Sequence, residues 1–166
     1  QVRNRALFLL MLDTGLRLAE VAGIKVGDID QNGLVVVMGK GRMERMVRLG
    51  ATAQRAVQRY SRMRAGSPGE PFWIGVRGPM TARGIAEMLE KLSKPLGISC
   101  HPHRVRRTCA LMMLRNGCDI FSLQHMLGHA DITVLRRYLA QTQADIIKAH
   151  QIHSPVDNLG SRKRTA

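Results

Sequence analysis

Four short stretches carry residues whose types and spacing suit phosphate chemistry. In LGHADITVLRRYLA, Leu127 to Ala140, His129 stands nine residues ahead of Tyr138, one of two tyrosines in the chain. In HPHRVRRT, His103 and Arg106 are three apart, so a helix sets them on one face. His103 then falls in a first turn, where unpaired N–H groups and the helix dipole favour an anion. In TGLRLAE, Arg17 and Glu20 have the same spacing; a guanidinium fork matches two phosphate oxygens, and a nearby carboxylate can orient the fork or a histidine. In MGKGRMER, Lys40 sits between glycines, where a long ammonium arm can reach a neighbouring site and deliver a proton.

Each stretch alone also has a plain structural account: a solvated basic turn, a surface i,i+3 ion pair, an exposed hairpin lysine. Tyr138 is harder to dismiss. In a helix after Asp131, residues Ile132, Leu135 and Leu139 form the buried stripe, which leaves Tyr138 at the margin beside Val134, able to face a cleft. A tyrosine hydroxyl titrates near ~10, so as a nucleophile it needs a base or a strongly cationic setting. This chain offers both.

The elements that must position these groups are mostly helical. RNRALFLLMLDTG has an apolar helical stripe ended by Gly15, and LRLAEVAGI is a short second helix. GLVVVMGKGRMERMVRLG changes period and predicts a hairpin turning at Gly39-Lys40-Gly41. Helices are expected over residues 51–64 and 81–94, with FWI at best a short strand between them. Pro102 suits the first turn of a helix running to about Asn116, followed by helices over 120–127 and 132–140, the latter capped by Asp131. A last amphipathic piece, ADIIKAHQI, precedes a Pro, Gly and polar-rich end. The fold class expected is α+β, mainly helical, with a small antiparallel sheet.

The 166 residues suit one core, and with 4% aromatic residues that core is expected to rest on aliphatic and Met side chains rather than rings. Arg55, Arg59 and Arg62 read as a solvated face opposite Ala56, Val57, Tyr60 and Met63, with Tyr60 and Trp73 as packing residues. Lys and Arg number 26 against 12 Asp and Glu, a net charge of +14 spread along the chain. That excess points to a polyanion, nucleic acid before a membrane surface, since no apolar run has the length of a membrane span. Cys100, Cys109 and Cys118 form no CxxC pair, which argues for a reducing compartment and buried thiols.

In this order, TGLRLAEVAGIKVGDID, GKGRMERMVRL, HPHRVRRT and LQHMLGHADITVLRRY resemble the catalytic domain of the tyrosine recombinases, the integrase family of site-specific DNA recombinases. The likeness covers residues 3 to 150. It implies that Arg17 and Arg106 bind the non-bridging oxygens of a scissile phosphate and that His129 adds a hydrogen bond. His103 would be the general base with Glu20 supporting it, and Lys40 would protonate the departing 5′ oxygen. Tyr138 would attack phosphorus to give a 3′-phosphotyrosyl link. Fixed cations stabilise the charge gathering on phosphate, so neither metal nor ATP nor another cofactor is implied.

The resemblance further implies double-stranded DNA and other recombinase protomers on paired sites as partners, with ADIIKAHQI as a helix for exchange between protomers. It places Thr81 and Arg83 at DNA, because relatives lay the corresponding helix in the major groove. Arg107 stands where many relatives have histidine and adds charge beside the site as a further DNA-binding candidate. Residues 1–152 are expected to be the catalytic domain and 153–166 a mobile basic tail. The amino-terminal core-binding domain of full-length relatives is expected to be absent from this chain. A cytoplasmic setting, in a prokaryotic cell or a phage-infected host, follows from the same likeness.

Three rivals remain from the residues alone. A zinc protein would use His125, His129 and CHPH, but Met126 stands where a zinc protease has Glu. A DNA-binding module would use the cations and leave Tyr138 without a task. A type IB topoisomerase shares the chemistry and works without a partner protomer.

Overall fold

The computed structural model describes residues 1–39, 44–128 and 143–157. Helix α1 (Val2–Thr14) runs through the centre and packs mainly against α3 (Ala51–Arg64) and α5 (Pro102–Arg115). Ala6, Leu7, Leu10 and Met11 are fully buried, while Val2, Phe8, Leu9 and Leu12 pack against the core from other sides. The expected single stripe is thus a helix apolar nearly all round, as a central helix must be. Gly15 ends it at φ 60°, its N–H bonded to the Met11 carbonyl, in the left-handed turn that glycine adopts without strain.

After Gly15 come α2 (Leu18–Gly23), a 3₁₀ turn (Val26–Asp28) and the antiparallel hairpin of β1 (Leu34–Met38) and β2 (Glu44–Arg48). Leu34 pairs with Arg48 and Met38 with Glu44. Val35, Val37 and Val47 form the buried face, as strand alternation requires. The hairpin tip, with Lys40, lies outside the described residues.

The FWI stretch contributes only a short strand, as expected. Phe72 and Trp73 are core residues just ahead of a two-residue strand β3 (Ile74–Gly75), which pairs with β4 (Gly78–Pro79). Tyr60 stacks on Trp73 at 5.4 Å between ring centroids, and Phe72 meets both rings edge-on. The Tyr60 hydroxyl donates to the Phe72 carbonyl (3.2 Å) and accepts from the Ile74 N–H (3.1 Å). The core therefore contains a ring cluster after all: few aromatic residues suffice when three meet, each burying a large area.

Helix α4 (Ala82–Ser93) begins at Thr81, whose Oγ1 accepts from the Gly84 N–H at 3.1 Å. Pro102 occupies the first turn of α5, and α6 (Ile120–Leu127) is capped by Asp119, which accepts from the N–H groups of Phe121 and Ser122. Cys109 is buried, its thiol pushed up to about 11 by burial and nearby Asp13. Cys100 and Cys118, at the flanks of α5, are only half-buried, contrary to expectation. Met63 is likewise exposed rather than packed, because it lies at the end of α3.

The chain divides into two compact units, Gln1–Ala130 and Asp131–Ala166. In the second, α7 (Gln143–His153) covers the expected last helix, with Ile147 and Ile152 exposed. The helix expected over 132–140 and its Asp131 cap lie outside the described residues, as does most of the expected basic tail. Among the described residues no helix is long and apolar enough to cross a membrane.

Candidate active site

Two helices end at the same place. The last carbonyls of a helix lack intrahelical partners and carry the negative end of its dipole, so they attract cations. Arg106, on α5, donates from Nη1 to the Gly15 carbonyl at the end of α1 and from Nη2 to the Leu127 carbonyl at the end of α6 (2.8 Å). Arg17, the residue that opens α2, donates from Nη2 to the Gly128 carbonyl (2.8 Å) and from Nη1 to Glu20 (3.1 Å). The two arginines that the sequence singled out, 89 residues apart, are thereby fixed on consecutive carbonyls, Leu127 and Gly128.

Glu20 is buried and joins the group together. Its Oε2 accepts from the Arg17 N–H (2.7 Å), and both oxygens accept from Arg45 on β2, at 2.7 and 2.8 Å. Burial alone would raise its carboxyl; the hydrogen bonds from Arg45 and the Arg17 backbone outweigh that and hold it below the ordinary carboxylate value. The resemblance implied that this residue supports His103, whereas among the described residues its bonds run to Arg17 and Arg45. Arg106 is pushed below the ordinary guanidinium value by burial first and then by Arg17 and Arg45, with Glu20 offsetting in part. Among the described residues, three guanidiniums against one carboxylate leave the cluster cationic.

Each guanidinium has five N–H donors, and Arg17 and Arg106 each engage two among the described residues. The forks are held in place with donors left over among the described residues, an arrangement suited to an oxyanion such as a phosphate. His103 is exposed in the first turn of α5, one turn before Arg106. Gly128 directly precedes His129 in the chain. Lys40, His129 and Tyr138 lie outside the described residues.

The other candidates sit apart in character. Thr81 is exposed and uses its hydroxyl as the α4 cap, and exposed Arg83 pairs with Glu87 one turn on (2.8 Å). Arg107 is exposed on α5. Sequence reasoning missed Arg45. The signal was present: strand alternation puts Arg45 on the same face as Val47, the buried one, so a charge there must have a partner inside.

A profile of the phage integrase family matches residues 1–145. The chain belongs to this family. Tyrosine recombinase XerC of Lactobacillus delbrueckii subsp. bulgaricus is 31% identical over 166 aligned residues, covering 93% of this chain and 56% of the relative. XerC of Halalkalibacterium halodurans is 33% identical, covering 93% and 55%. The integrase fold is equally plain: a crystal structure of XerA recombinase matches with a TM-score of 0.75 at 26% identity, over 93% of this chain and 58% of that one. The XerH site-specific recombinase bound to its difH substrate shares the fold with a TM-score of 0.72 at 23% identity, over 91% and 47%. This integrase-family chain spans about half the length of the curated relatives it matches.

Proposed function

We propose that the chain, over residues 1–152, is the catalytic domain of a site-specific DNA recombinase that cleaves and rejoins strands through a 3′-phosphotyrosyl intermediate. The observation that carries this reading is the pair Arg17 and Arg106, pinned side by side against the carbonyls of Gly128 and Leu127. Relatives at 31% and 33% identity that are themselves tyrosine recombinases support it.

In this mechanism Arg17, Arg106 and His129 bind the non-bridging oxygens as charge gathers on them. The Tyr138 oxygen attacks phosphorus while His103 accepts the phenolic proton. A bond from Tyr138 to phosphorus forms, the bond to the 5′ oxygen breaks, and Lys40 gives that oxygen a proton. The ester conserves the energy of the broken bond, so a 5′ hydroxyl from another strand can displace Tyr138 and rejoin the DNA. Thr81, Arg83 and Arg107 serve the duplex, and residues 153–166 form a basic tail. Partner protomers assemble on paired sites, with α7 as the element exchanged.

A pool of nicked duplexes with a randomised site, incubated with the chain, denatured and sequenced from the protein-linked fraction, tests the reading. The expected product is DNA joined to Tyr138 by a 3′ phosphate, lost in Tyr138→Phe while DNA binding persists. A 5′ linkage, or linkage to Tyr60, would overturn it. Relaxation of supercoiled DNA by single protomers, without strand exchange, would favour the topoisomerase reading instead.

A further inference from the structure

The third guanidinium of the cluster has no part in the reaction above. Arg45 pairs across the hairpin with Val37 and shares the inner face with Val35 and Val47, a row otherwise of buried valines. A charge in such a row is costly unless it is paired. On one side the pairing is complete, since Nη1 and Nη2 grip both oxygens of Glu20. On the other, Nε is buried with no hydrogen-bond partner among the described residues, and the flat guanidinium lies over Gly128. Gly128 has φ +69°, and a Cβ there would come 3.1 Å from Arg45 Cζ and 3.3 Å from its Nε, so the close approach needs glycine.

Glu20 is a contested acceptor. Its Oε1 accepts from Arg17 Nη1 at 3.1 Å and from Arg45 Nη1 at 2.7 Å. Arg17 has 40% of its side chain exposed and Arg45 18%, so it is Arg17 that can turn once Arg45 no longer fills Glu20. A buried carboxylate without Arg45 would draw the whole Arg17 fork onto itself, because a two-bond pair is stronger than one bond.

We propose that Arg45 is a positioning residue. By occupying both oxygens of Glu20 it prevents Arg17 from closing on that carboxylate, and so keeps the Arg17 donors turned toward the phosphate. The same grip ties β2, the strand that follows the Lys40 segment, to Gly128, the residue before His129. The inference rests on the recombinase reading.

The test measures single-turnover formation of the covalent complex on a site that the wild-type chain selects from the randomised pool. Wild type, Arg45→Met, Arg45→Lys and Arg17→Ala are compared on two nicked substrates. One carries the ordinary phosphodiester at the cleaved position and the other a methylphosphonate, which is neutral and needs less cationic stabilisation. On the phosphodiester, Arg45→Met is expected to slow cleavage on the order of 10- to 100-fold, with half-site binding near wild type and a lowered melting temperature, because buried Glu20 loses two bonds; relief on the methylphosphonate then separates positioning from lost stability. Arg45→Lys recovers part of the rate, because one charge-assisted bond to Glu20 remains. The methylphosphonate reduces the deficits of Arg45→Met and Arg17→Ala in parallel. Wild-type rates for Arg45→Met, or a loss that follows a lowered melting temperature and is not relieved on the methylphosphonate, would overturn the proposal while leaving the recombinase reading intact. Failure of the wild-type chain to trap any member of the pool would overturn both.

Discussion

Arg106 and Arg83 are the same side chain in opposite settings. Arg106 is half-buried, with its two Nη groups held by the carbonyls that end α1 and α6. Arg83 is 89% exposed and pairs with Glu87, itself 52% exposed, one turn away. Arg55, Arg59 and Arg62 are exposed like Arg83. In a chain of net charge +14, the number of cations near a surface does not locate a site; fixed acceptors behind the cations do. A fork oriented before its ligand arrives loses little freedom on binding, whereas an exposed one must be ordered at that moment.

The two settings should differ most in rate. Arg106→Ala is expected to lower covalent-complex formation on the order of 10²- to 10³-fold in single-turnover assays, as loss of an oxyanion donor does, and Arg83→Ala by only a few-fold. The reverse order would mean that the exposed face does the chemistry. Gly15→Ala attacks the acceptor rather than the donor: at φ +60° an added Cβ would meet Leu127 Cδ2 at 2.6 Å. A loss of about 1–3 kcal/mol in urea unfolding is expected from the combined strain and overpacking, together with slower cleavage because the Gly15 carbonyl holds Arg106. Gly69→Ala, where an added Cβ meets nothing within 4 Å, should change stability by less than about 0.5 kcal/mol.

Glu20 is held below the ordinary carboxylate value even though burial alone would raise it, since hydrogen bonds from Arg45 and the Arg17 backbone prevail. A carboxyl depressed in the folded state contributes stability above its unfolded value, roughly 4.3 for glutamate, and that contribution is lost as pH falls through the folded value. The stability difference between wild type and Glu20→Gln should therefore be flat near neutrality and shrink below about pH 4 in urea titrations. A difference that grows on acidification contradicts the cluster. At the small end, Arg55→Ala and Arg59→Ala should each change stability by less than about 0.5 kcal/mol, as solvated surface positions do.

Much of this was legible from local signals. Gly15 as a stop, Pro102 as a start and the period change across residues 33–50 are written in neighbouring residues, and the structure follows them. Arg17 and Arg106 were legible as types at a spacing. What holds them was not, because the carbonyls of Gly15, Leu127 and Gly128 have no residue-type signature and meet only when α1, α5 and α6 pack. The ring cluster was missed for a related reason: composition shows few aromatic residues and says nothing of Tyr60, Phe72 and Trp73 meeting. Arg45 was visible only to a reader who followed strand alternation through to a charged residue on the buried face.

The pinned arginines, not the exposed ones, are expected to hold the phosphate to be cleaved. A structure of Tyr138→Phe on a nicked duplex carrying the selected site tests it directly. One phosphate is expected to receive hydrogen bonds from both Arg17 and Arg106, while Arg17 still donates to the Gly128 carbonyl and Arg106 to those of Gly15 and Leu127. Phosphate contacts confined to Arg55, Arg59, Arg62 and Arg83, with no phosphate at Arg17 and Arg106, would contradict it.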